Sequence, residues 1–105
     1  MVQISVIELA TFNDIVYFLH SRLTTMNISG SLLCTENTCF TVVSGGNDQL
    51  FVIKAPAPSK LCRFAYVDET GSIKCSDTPP IGRPTVIIIS VKNVKDVEHL
   101  AQALS

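Results

Sequence analysis

From Gly30 to Val91 the chain is a succession of short apolar segments, each closed by turn-forming residues. The segments are Ser31–Cys34, Cys39–Val43, Leu50–Lys54, Leu61–Val67, Ser72–Cys75 and Thr85–Val91. Between them stand Glu36-Asn37, Gly45-Gly46-Asn47-Asp48, Pro56-Ala57-Pro58, Asp68-Glu69-Thr70-Gly71 and Pro79-Pro80. Segments of this length are too short for helices, and turn signals at this interval mark strands joined as an antiparallel meander that closes into a sandwich or barrel.

The two ends read differently. Val2 to Leu9 alternates apolar and polar residues at first, the period of a half-buried strand. Thr11 then precedes Phe12, Ile15, Val16, Leu19 and Leu23, which share one face of a helix over residues 12–23, with Asp14 where a capping partner belongs. At the other end Asn93 can cap a second helix whose one face carries Val94, Val97, Leu100, Ala101 and Leu104. The expected fold is mainly β: a small antiparallel barrel of about six to seven strands, a C-terminal α-helix and an extra N-terminal helix. Nothing divides the chain, so residues 1–105 are read as one domain.

Composition narrows the function. With 47% hydrophobic and 16% charged residues in 105, the chain has the makeup of a packed domain with a single core. Its longest apolar run, Val86 to Ile89, falls far short of the roughly 20 residues that cross a bilayer. No basic stretch precedes the apolar residues after Met1, so the expected location is the cytosol. A net charge of −1 gives no general attraction for polyanions, and any nucleic-acid affinity must be local and weak.

Catalytic signatures are missing in kind. There is no phosphate-binding glycine loop, no nucleophile elbow and no metalloprotease helix. His20 and His99 both fall on expected helices, far along the chain from any plausible nucleophile. Asp68 and Glu69 precede Thr70-Gly71, where an acidic residue ordinarily serves a tight turn. Gly45-Gly46 reads as a hairpin turn that needs positive φ. Cys34, Cys39, Cys62 and Cys75 could form two disulfides or a four-thiolate zinc site. Only the first pair is closely spaced, so the reading is reduced, half-buried strand cysteines with no metal and no cofactor. Phe40, Phe51, Phe64 and Tyr66 lie on strands and mostly serve the core. Arg63-Phe64 and Tyr66 are the best candidates for stacking on a base.

Residues 63–80 carry a more specific pattern: Arg63-Phe64, then Asp68-x-Thr70-Gly71-x-Ile73, then Pro79-Pro80. It resembles, without a gap, the central hairpin of the coronavirus non-structural protein nine family. Cys34-Thr35-Glu36-Asn37, Gly45-Gly46 and Phe51-Val52-Ile53 follow the same family's order upstream. A strand running into Lys92 and a closing helix follow it downstream. The likeness covers residues 34–104.

The resemblance implies a small barrel related to oligonucleotide-binding folds, working in the cytoplasm of an infected host cell as a replicase subunit cut from a polyprotein. It implies weak binding of single-stranded RNA and association with the viral RNA polymerase. Carried onto this chain, Lys60, Arg63, Lys74, Arg83 and Lys92 would meet phosphates, and Phe64 or Tyr66 would stack. It also implies a homodimer through the C-terminal helix, with Val97, Leu100, Ala101 and Leu104 at the interface, and a nucleotide acceptor at the N-terminal amine, here Met1. This chain departs from the pattern in four places. Leu100 and Leu104 occupy the family's helix glycines, the segment from Pro80 to Thr85 is shorter, residues are added near the start, and Met1 stands where the family has asparagine. Such drift points to a nidovirus outside the coronaviruses proper.

Overall fold

The computed structural model describes residues 2–26 and 30–92. Seven strands form one sheet: β1 (Gln3–Glu8), β2 (Gly30–Cys34), β3 (Thr38–Gly46), β4 (Gln49–Pro56), β5 (Phe64–Val67), β6 (Ile73–Ser76) and β7 (Val86–Ser90). One helix, α1 (Phe12–Met26), lies between β1 and β2 in the chain. The mainly-β expectation holds, and each expected strand is present with its ends shifted by a few residues. The C-terminal helix expected over residues 94–104, including Val97, Leu100, Ala101 and Leu104, lies outside the described residues, as does Met1.

α1 starts where the sequence placed it, and the reason is visible at its first turn. The Thr11 backbone N–H donates to Asp14 Oδ2 at 3.1 Å, and the Asp14 N–H donates to Thr11 Oγ1 at 3.2 Å. This reciprocal pair satisfies donors that no helical carbonyl can reach. From that start Ile15, Val16, Leu19 and Leu23 fall on one face. They pack on Leu32 and Cys34 of β2, Cys39 of β3, Ile53 and Ala55 of β4, Ala65 of β5, and Val86 and Ile88 of β7. One helix thus covers one face of the sheet.

The strand order is β1-β4-β3-β2-β7-β5-β6. Here the structure corrects the expected antiparallel barrel: the sheet is mixed, with β1 parallel to β4 and β2 parallel to β7, and β1 and β6 are its two ends. Alternation along a strand says which face a residue takes but not which neighbour it pairs with. Three hairpins remain among the described residues: β2–β3, β3–β4 and β5–β6. β3 and β4 turn through Asn47 and Asp48, both at positive φ (50° and 62°), the backbone of a two-residue turn matched to strand twist. Gly46 also has positive φ, whereas Gly45 serves packing, because a Cβ there would collide with the Phe51 ring.

A second correction concerns the cysteines. They are not reduced: Cys34 bonds Cys39 and Cys62 bonds Cys75. The first pair follows from register, since Cys34 and Cys39 are direct partners across the β2–β3 hairpin. The second ties the segment before β5 to β6. Spacing along the sequence did not announce it, because the two are brought together only when β5 and β6 pair.

Leu32 is fully enclosed between α1 and the sheet's centre. Leu32→Ala is expected to lower unfolding free energy by about 3 kcal/mol through lost burial and the cavity left behind. Denaturant titration of the two proteins measures the difference.

Candidate nucleic-acid interface

β5 is only four residues long, and its alternation decides what the site offers. Ala65 is buried toward α1, so Phe64 and Tyr66 project to the opposite face of the sheet. Register adds their neighbours: Phe64 stands beside Ser76 of β6 and Ile87 of β7, and Tyr66 beside Lys74 of β6. Two aromatic rings and a lysine thereby share one surface.

The loop before β7 returns Arg83 over the Tyr66 ring, with the guanidinium carbon 4.9 Å from the ring centre. Its Nη2 also donates to Glu69 Oε1 at 2.7 Å. Lys74 Nζ lies 3.9 Å from Asp68 Oδ2. Arg63 is exposed at the start of β5, and its carbonyl accepts from the Ile88 N–H. Lys60 is exposed near the Phe64–Ser76 end of the hairpin, beside a shallow cavity that Cys62, Cys75 and Asp77 also line. Lys92 is exposed just past β7. The structure thus brings Arg63, Phe64, Tyr66, Lys74 and Arg83 onto one hairpin and its flanking strand, and places Lys60 and Lys92 at its margins.

The turn between β5 and β6 is built by Asp68, as the sequence implied. Its Oδ1 accepts from the Thr70 N–H at 2.9 Å, the Thr70 hydroxyl at 2.6 Å and the Ser72 N–H at 3.0 Å, while Gly71 takes positive φ. The Tyr17 hydroxyl of α1 donates to the Gly71 carbonyl, fastening the turn to the helix. Sequence reading missed that tie, and it missed Glu69 as the partner of Arg83. No spacing rule links residues 14 positions apart through a loop; the signal was only an acidic residue in excess of what the turn needs.

Both carboxyls titrate below their ordinary range. The Thr70 hydroxyl, then the Ser72 N–H, hold Asp68 down. Its own backbone N–H, then the Arg83 guanidinium, hold Glu69 down. A carboxyl whose folded pKa is depressed steadies the fold at pH values above its unfolded pKa and loses that effect as pH falls through the folded one. The Thr70 and Ser72 amide resonances should accordingly shift on acidification with a midpoint below pH 3.8, the ordinary value for Asp68, and Asp68→Asn should abolish that transition. NMR titration measures both.

No protein-family model, no curated protein and no solved structure matches this chain.

Proposed function

We propose that this chain is a non-catalytic subunit of a viral replicase that binds single-stranded RNA weakly and docks on the viral RNA polymerase; the cytoplasm that the resemblance implies is at odds with the Cys34–Cys39 and Cys62–Cys75 disulfides, which a reducing compartment does not keep. The observation that carries the RNA half is the shared surface of Phe64 and Tyr66, with Lys74 in register and Arg83 over the Tyr66 ring. Stacking rings beside a few cations is how single strands are held without sequence preference. Weakness follows from Asp68 and Glu69, which already occupy two of the cations.

The replicase half is supported by the gapless likeness of residues 63–80, which form that same hairpin, to the coronavirus non-structural protein nine family. Kinship would have the sheet curl as a partly open, oligonucleotide-binding type of barrel. It also entails that the N-terminal amine, at Met1, accepts a nucleotide. The parallel pairings of β1 with β4 and of β2 with β7 count against the antiparallel barrel that this kinship implies, so the replicase reading rests on the hairpin of residues 63–80 alone.

Fluorescence titration of a labelled single-stranded RNA tests the binding. Three or four phosphate contacts predict a slope of about −2 to −3 for log affinity against log salt. Phe64→Ala should weaken binding by about 1–3 kcal/mol, and Glu69→Gln, which releases Arg83, should strengthen it. No binding even at low salt would remove RNA from the function.

A second reading is favoured by one observation. All six residues of β1 are exposed, with Ile4, Val6 and Ile7 among them, and β1 lies at the end of the sheet. An apolar edge strand offers unpaired backbone to another chain. On this reading the protein assembles through β1, as a homo-oligomer or on a partner, and RNA is irrelevant. Val6→Lys should then convert an oligomer to monomer in light scattering; a wild-type chain that is already monomeric at high concentration would exclude self-assembly.

A further inference from the structure

The two disulfides sit in opposite surroundings. Cys34 and Cys39 are 1% and 0% exposed and belong to the core that α1 seals, so a reagent reaches their sulfurs only when the helix lifts. Cys62 is half-buried and Cys75 is exposed. Their bond borders an open cavity of about 230 Å³, lined also by Lys60, Leu61, Ser76 and Asp77. Lys60 and Asp77 bring opposite charges to that cavity, so access and not local charge separates the two bonds.

The surrounding backbone says what the accessible bond restrains. Cys75 is the register partner of Ala65, whose side chain faces α1, so the disulfide lies on the α1 side of the sheet, away from Phe64 and Tyr66. β6 is an end strand of four residues beside β5. It is held by the β5 ladder, by partly buried Ile73 and by the bond to Cys62. Residues 57–63 travel from β4 to β5, past β3, β2 and β7 in the strand order, and pack on the core through Ala57, Leu61 and Cys62. The bond therefore fastens the far end of a long crossing to the last strand of the sheet.

We propose that Cys62–Cys75 is a thiol–disulfide exchange site, opened by small thiol reductants while Cys34–Cys39 stays closed, and that opening it loosens β6. A thiolate enters from the cavity and attacks the Cys75 sulfur. A new S–S bond forms to Cys75 as the Cys62–Cys75 bond breaks, and its electron pair leaves on Cys62, which takes up a proton. A second reductant thiolate then attacks the mixed disulfide at the reductant's sulfur and releases Cys75, which is protonated in turn. In sum two reductant thiols are oxidised to one disulfide, and Cys62 and Cys75 are reduced to two thiols. A reducing compartment disfavours both of the protein's disulfides, but enclosure beneath α1 sets which of them is reached. The chain thus has two covalent states that share one core. The bond spans a sequence separation of 13, and a crosslink of that length restrains the open chain on the order of a hundredfold. The inference goes beyond the RNA reading and needs no RNA for its test.

The oxidised full chain, incubated without denaturant in millimolar glutathione, alkylated with iodoacetamide and mapped by mass spectrometry, tests the exchange. Expected is labelling of Cys62 and Cys75 at least about tenfold faster than of Cys34 and Cys39. Equal rates, earlier loss of Cys34–Cys39, or no labelling at Cys62 and Cys75 would overturn the proposal. Amide hydrogen exchange tests the loosening. In C62S combined with C75S, the amides of β6 should exchange about tenfold faster than in the oxidised wild type, while those of Leu19 in α1 and Leu32 in β2 keep their rates. Unchanged exchange in β6 would defeat the loosening, and acceleration throughout the core would defeat the claim that both states share it. Should the variant fail to fold, the same measurement on the wild type held in glutathione decides.

Discussion

Everything in this molecule hangs on one helix closing one face of one sheet. Ile15, Val16, Leu19 and Leu23 bring α1 down on residues from five different strands, and those residues make up the rest of the buried core. A chain this short has little apolar surface to spare, so the seal is also what fixes the facing of every strand. Because Ala65 faces α1, Phe64 and Tyr66 cannot. The surface proposed to meet a nucleic acid is thus a by-product of core packing, set by the burial of Ala65.

The electrostatics of that surface are restrained from within. Arg83 is shared between the Tyr66 ring and the Glu69 carboxylate, and Lys74 leans toward Asp68. These exposed pairs contribute little to stability individually. On the proposed reading their effect would be on affinity: a polyanion would have to compete with carboxylates already in place, which would limit both the strength of binding and its steepness in salt. Tyr17, reaching from the helix to the Gly71 carbonyl, holds the turn that carries these charges.

Local features were legible in the sequence and long-range ones were not. The helix start at Thr11 and Asp14, the Asp68 turn and the positions of the strands all follow from interactions within a few residues, which leave a spacing signature. Strand partners leave none. β1 pairs with β4 across an intervening helix, and nothing in Gln3–Glu8 names Gln49–Lys54 as its register. The expectation of reduced cysteines is corrected for two different reasons: Cys34 and Cys39 are close in sequence but bond because register makes them partners, whereas Cys62 and Cys75 meet only through the pairing of β5 with β6. Of the candidate site, the aromatic and basic residues of the hairpin are visible in the sequence, and the structure adds which of them share a face. The carboxylates that temper them were seen merely as turn formers.

The parallel contact of β2 with β7 has a consequence for how the chain is made. It joins Gly30 to Val86 in the middle of the sheet, partners separated by more than half the sequence. During synthesis the first four strands can assemble early, but the central gap between β2 and β5 stays open until β7 emerges. Non-local closure of this kind is slow, because loop entropy is lost before any contact repays it. A nascent chain halted just short of Val86 would therefore hold two unjoined fragments with α1 half-seated, exposed to proteases and chaperones until β7 arrives.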